Sequence, residues 1–68
     1  MKEYRGEVWQ DGFLVARAQG GNYTQVNAET AHYAMMYAKD GPVTVKRFEK
    51  KSGKRWILSN ENTHDAGR

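Results

Sequence analysis

The sequence predicts an α+β fold: one antiparallel sheet of four to five strands with a single helix on one face, in the order ββαββ. Three features predict it. Asp11-Gly12 separates two alternating segments, an alanine-rich stretch stops at Asp40-Gly41-Pro42, and a second pair of β-prone segments flanks Lys51-Ser52-Gly53.

The first hairpin is EYRGEVWQDGFLVARAQ. Asp11-Gly12 supplies the positive φ angles of a type I′ turn, a register that sets Trp9 opposite Leu14 and Val8 opposite Val15. Gly20-Gly21-Asn22 then bends or breaks the chain. YTQV either resumes the second strand after a bulge or forms a short strand of its own. Asn27 suits a helix N-cap, and Glu29 in the first turn complements the helix dipole. The spacing predicts a helix from about Ala28 to Lys39, with Gly41 as a left-handed C-cap and Pro42 barring continuation. On a helical wheel Ala31, Ala34 and Ala38 form the packing side, Met36 is exposed and Tyr33 lies at the boundary. VTVKRFEK and RWILS make the second hairpin. A three-residue loop would set Phe48 opposite Trp56 and Glu49 opposite Arg55, and a two-residue loop would set Phe48 opposite Ile57. NENTHDAGR is polar and without periodicity. The expected organisation is one domain over residues 1–60 and an unordered tail over 61–68.

At 68 residues, the chain can bury one small core between a sheet face and a helix, which leaves little room for an enclosed active site. It has no cysteine, which excludes disulfides and thiolate metal sites and fits a reducing cytoplasm. MKEYRGEVWQ has no apolar core of a signal peptide, and no stretch approaches the roughly 18 apolar residues of a membrane span.

Catalytic signatures are missing. His32 and His64 have no neighbouring partner that makes a triad, and the acidic residues are scattered. No phosphate loop, zinc-protease or calcium-loop pattern occurs, so the expectation is a protein that is not an enzyme and holds no metal or cofactor. The charge is the informative feature. Residues 46–55 hold Lys46, Arg47, Lys50, Lys51, Lys54 and Arg55 against Glu49, a local charge of +5, while the rest of the chain sums to −2. Such a focused field draws polyanions or acidic protein surfaces, and arginine forks suit phosphate or carboxylate. The bland alternative is a solvated hairpin tip whose lysines discourage edge pairing. Phe48, Trp56 and Trp9 could stack on bases, yet a domain this small needs its large apolar groups for the core. Met36 and Tyr33 are either plain surface or a protein-binding patch.

Thr24-Gln25-Val26, Ala28, Thr30, Ala34, Ala38, Gly41, Arg47-Phe48-Glu49 and Gly53-Lys54-Arg55-Trp56-Ile57 resemble the small phage-encoded anti-CRISPR proteins, in particular a ββαββ inhibitor of type I-F surveillance complexes. The likeness covers about half the chain, and Gly-Lys-Arg-Trp is its most distinctive piece. A looser similarity links the pattern to small phage inhibitors of bacterial RNA polymerase. The resemblance implies a non-catalytic inhibitor that binds Cas7-type backbone subunits of the crRNA-guided complex in the host bacterial cytoplasm, as a monomer, and stops target DNA from hybridising. It also implies non-specific DNA contact. The chain departs from the family at Met35 and Met36, which stand where basic residues are expected, and this moves the weight onto Lys46, Arg47, Lys50, Lys51, Lys54 and Arg55. Met36, Tyr33 and Trp9 would add apolar contact. The alternative is a small basic nucleic-acid-binding module using the same ribbon.

Overall fold

The computed structural model describes residues 1–65 and has the expected ββαββ order. Strands β1 (Lys2–Gln10) and β2 (Phe13–Gly20) lead to helix α1 (Tyr23–Ala38), then β3 (Val43–Lys51) and β4 (Ile57–His64). The four strands form one antiparallel sheet in the order β2-β1-β3-β4, so the N- and C-terminal hairpins join through β1 and β3.

The first turn forms as expected. Asp11 has φ 53° and Gly12 φ 82°, the left-handed pair that a type I′ turn needs. Trp9 faces Leu14, but a bulge then shifts the register and puts Val8 opposite Ala16 rather than Val15. The second hairpin departs further. Glu49 faces Ile57 and Phe48 faces Leu58, so the loop spans residues 52–56 and Trp56 pairs with neither Phe48 nor any other strand residue. The Ser52 N–H donates to the Met1 carbonyl at 2.9 Å, which ties the end of β3 to the chain's first residue and not to β4. Beyond the loop β4 pairs with β3 through His64, so residues 61–64, expected in the tail, belong to the sheet. Residues 66–68 of that expected tail lie outside the described ones.

The helix begins five residues earlier than expected. Asn22, not Asn27, is the N-cap: its side chain accepts from the Gln25 N–H at 3.0 Å. YTQV is therefore the first helical turn and not a strand. Tertiary packing decides this, because Val26 is buried and the Tyr23 ring meets Tyr4 edge-on at 5.2 Å. At the other end, Gln10 Nε2 donates to the carbonyls of Tyr37 (2.9 Å) and Gly41 (3.1 Å), so β1 supplies partners for the helix terminus. Lys39, in right-handed helical geometry, is the C-cap in place of the expected left-handed Gly41, which has φ 146°.

The inner side of the helix is Val26, Thr30, Ala34 and Ala38, a strict i, i+4 row. Ala34 and Ala38 pack as expected, and Ala31 does not: it is exposed, and Thr30 takes the inner place. Met36 is 48% exposed and Tyr33 is half-buried against the core. Val8, Val43 and Val45 complete the core.

The helix approaches the sheet over Gly6. A Cβ on Gly6 would stand 1.8 Å from Thr30 Oγ1 and 2.6 Å from Thr30 Cβ, so only glycine fits. We expect Gly6→Ala to lower stability by about 1–3 kcal/mol, and Thr30→Ala in the same chain to restore part of it. A melting curve unmoved by Gly6→Ala would contradict this packing. We further expect Ala34→Leu to overpack by about 1–3 kcal/mol, with Met36→Lys within about 0.5 kcal/mol of the parent. Chemical denaturation of both variants measures the difference, and a larger loss for Met36→Lys would reverse the assignment of the buried side.

Candidate functional site

Alternation along β1 sorts its side chains onto two faces. Tyr4, Gly6, Val8 and Gln10 meet the helix, whereas Glu3, Arg5, Glu7 and Trp9 point away from it. Pairing brings Lys50, Phe48, Lys46 and Thr44 of β3 alongside these four, in that order. Among the described residues no element covers this second face, because the one helix lies on the other.

Glu7 organises the open face. It is 8% exposed, its Oε1 accepts from the Trp9 indole N–H at 3.0 Å, and its Oε2 lies 3.6 Å from an Arg5 guanidinium nitrogen. Lys46 and Arg17 are its cross-strand neighbours, so one nearly buried carboxylate stands among three cations. This compensates the cost of burying it. Arg5 Nε also donates to Gln19 at 3.2 Å, and the guanidinium lies 4.3 Å from the centre of the Trp56 ring. Lys50 Nζ is 5.0 Å from the same ring and 3.8 Å from Glu3, and Lys46 Nζ is 4.9 Å from the Trp9 ring.

The expected site residues fall in four places. Trp9, Lys46 and Lys50 share the open face. Lys50, Lys51, Lys54 and Arg55 gather with Lys2 and Glu49 around Ile57 at one end of the sheet, where Lys2 pairs with Glu49 at 3.5 Å. Arg47 is separated from the other cations. Its parity turns it to the helix side, where Nε donates to Asn27 at 2.6 Å and a second nitrogen to Asn62 at 3.5 Å. There it lines a cleft of about 530 Å³ between the helix and β4, with Tyr4, Tyr23, Thr30 and Asn60. Tyr33 and Met36 lie on the helix, across the sheet from Trp9 and the lysines.

Sequence reasoning missed Arg5, Glu7 and Arg17. Arg5 and Glu7 join the site through the β1–β3 register, which puts every odd residue of β1 beside an even residue of β3, and Arg17 joins it through the β1–β2 register opposite Glu7. Among the described residues no group of three His, Asp or Glu side chains is placed to hold a metal ion, and no helix is long and apolar enough to cross a membrane. No protein-family profile, curated protein or solved structure matches the chain.

Because Glu7 fixes both Trp9 and Arg5, Glu7→Ala should cost about 1–3 kcal/mol of stability and shift tryptophan emission to the red. Glu7→Gln, which retains an acceptor for the indole N–H, should lose less. Emission spectra and melting curves of the two variants check the order, and equal losses would show that Glu7 does not anchor Trp9.

Proposed function

We propose that the protein is a non-catalytic inhibitor of the anti-CRISPR kind, which docks on a bacterial crRNA-guided surveillance complex and blocks target DNA binding. The observation that carries this reading is the basic end of the sheet. Lys2, Lys50, Lys51, Lys54 and Arg55 gather around Ile57, where Lys2 pairs with Glu49 and Lys50 with Glu3, and Lys51, Lys54 and Arg55 leave a positive excess at the hairpin end. That surface has the chemistry to cover acidic side chains or a phosphate path on such a complex, where a small domain can exclude DNA without turnover. The Gly53-Lys54-Arg55-Trp56-Ile57 run that resembles the inhibitor family lies at this end of the sheet. The inhibitor would act in the host cytoplasm as a monomer, with a Cas7-type backbone subunit as its partner and no cofactor.

A direct nucleic-acid-binding role is the second reading, and the cation-capped tryptophans of the open face favour it. The two separate by partner. An inhibitor binds a purified surveillance complex far more tightly than it binds free DNA, whereas a direct binder has steeply salt-dependent affinity for nucleic acid alone.

Lys50, Lys51 and Lys54 provide much of the field; Lys51 and Lys54 are exposed, and half-buried Lys50 lies on the open face outside the core, so reversing all three gives up the Lys50–Glu3 pair and leaves the core untouched. We expect Lys50→Glu, Lys51→Glu and Lys54→Glu together to weaken binding to a type I-F complex at least tenfold, with melting close to that of the parent. Parent-like inhibition by the triple variant at physiological salt would reduce the basic end to a solubilising tip.

A further inference from the structure

We propose that the open face of the sheet is a track for single-stranded nucleic acid, with bases stacking at Trp56 with its Arg5 plane, Phe48 and Trp9, and phosphates held by Lys46 and Lys50. The track shares Lys50 with the basic end of the sheet, rests on the nucleic-acid reading of the open face, and needs no protein partner.

Where the large side chains lie is the first argument. The buried core is valine, alanine and threonine, while both tryptophans and Phe48 are left half-exposed. A chain of this size would ordinarily spend its largest apolar groups on its core. Here Trp9 and Phe48 stand on the face that no element covers among the described residues, with Trp56 at its loop end.

The second argument is the pairing of ring with charge. Each tryptophan has a cation 4.3–5.0 Å from its centre: Arg5 and Lys50 at Trp56, Lys46 at Trp9. A nucleotide presents the complementary pair, a flat base beside a phosphate. Lysine stems are flexible, so a base can displace an ammonium from a ring while the ammonium moves to the neighbouring phosphate. Arg5 need not move, because a guanidinium plane is itself a stacking surface. The acids of the face stand beside its cations. Glu3 pairs with Lys50, Glu7 holds Arg5 and Trp9, and Glu61 is directly opposite Lys46 on β4, in the same shallow pocket as Trp9.

Spacing supplies the third argument. Phe48 is level with Arg5, and Trp9 is level with Thr44, four residues further along β3, which is about 13 Å. Trp56 lies beyond Phe48 toward Lys50, so the three rings run along the sheet from one end to the other. Anchored Trp9 and Arg5 make this arrangement preorganised, which lowers the ordering cost of binding. Single strands fit and duplexes do not, because base faces in a duplex are covered by their neighbours. An acidic peptide would use the cations and leave the rings idle.

Trp9 and Trp56 are the only tryptophans, so tryptophan emission, excited to the red of tyrosine absorption, reports on this face. The test is titration of the whole chain with a short oligothymidylate, a duplex of equal length and polyglutamate, at low and physiological salt. We expect saturable quenching by oligothymidylate, weaker binding of duplex, and little quenching by polyglutamate. Trp56→Leu and Phe48→Leu should each weaken oligothymidylate about tenfold or more. Lys46→Gln and Lys50→Gln should each lower the salt slope by about one phosphate. A merely structural role would not move that slope, and the two lysine variants decide the matter if the aromatic ones fail to fold. Absence of quenching, equal quenching by polyglutamate, duplex binding as tight as single strand, or lysine variants with the parent slope would each overturn the track. Oligothymidylate binding without surveillance-complex binding would leave the track standing and remove the inhibitor reading. The converse would remove the track alone.

Discussion

The close approach of α1 to β1 at Gly6 sets the rest of this structure. With no Cβ at Gly6, the Thr30 side chain can sit against the strand backbone while its hydroxyl donates to the Val26 carbonyl at 2.7 Å. Thr30 thus satisfies its own polar group inside the helix and exposes only its shape to the sheet. On the β2 side of this contact the neighbours are small: Ala18 opposite Gly6, Gly20 under Val26, Ala34 and Ala38 further along. On the β3 side Arg47 stands opposite Gly6 and reaches past the contact to Asn27. It lies mainly over β1 and β2, so the helix-side surfaces of β3 and β4 near Arg47 and Asn60 remain an open cleft.

That choice has a consequence for the other face. The thin core of valine and alanine takes only Tyr33 and Tyr37 rings at its edge, and Trp9, Phe48 and Trp56 lie on the other face. They are held outside by polar devices: the Glu7 hydrogen bond to Trp9, the Gln19 and Glu7 contacts that fix Arg5, and cations over the rings. Such cation–ring contacts contribute about 0.5–1 kcal/mol each when exposed. They also keep a bare apolar sheet face from pairing with another. A nearly buried carboxylate at Glu7 is therefore the counterpart of Gly6, one residue along the same strand and on the opposite face.

How much of this was legible follows from the range of the forces involved. The Asp11-Gly12 turn and the stop at Gly41-Pro42 are local backbone effects, and both ends were placed from sequence. The start of the helix was not, because Tyr23 to Val26 has the aromatic and β-branched residues of a strand, and its helicity depends on Tyr4 and Gly20 from other elements. Taking Asn27 as the cap followed from that error and shifted the buried row from Thr30 to Ala31. The site was legible only as a charge run. Alternation in a strand splits such a run: Lys46 and Lys50 go to the open face, while Arg47 goes to Asn27 on the helix side. Arg5 and Glu7 belong to the site only through the β1–β3 register, and nothing near them in sequence specifies that pairing.

The same cations can serve two ends, and their geometry separates them. Protecting an exposed ring from self-association requires only a charge nearby, and any lysine on either neighbouring strand would do. Here the arrangement is more specific than that. Arg5 is fixed at two points before it meets Trp56, and Glu7 is buried at some cost to anchor Trp9. Solubility gives no reason to immobilise a ring and a guanidinium, since mobile side chains screen an apolar face equally well and lose less entropy. Fixed planes matter when something flat must lie against them, because each rotor frozen in the free protein is one that binding need not freeze. The rigidity of Arg5 and Trp9, more than the number of positive charges, is what distinguishes this face from an ordinary solvated sheet.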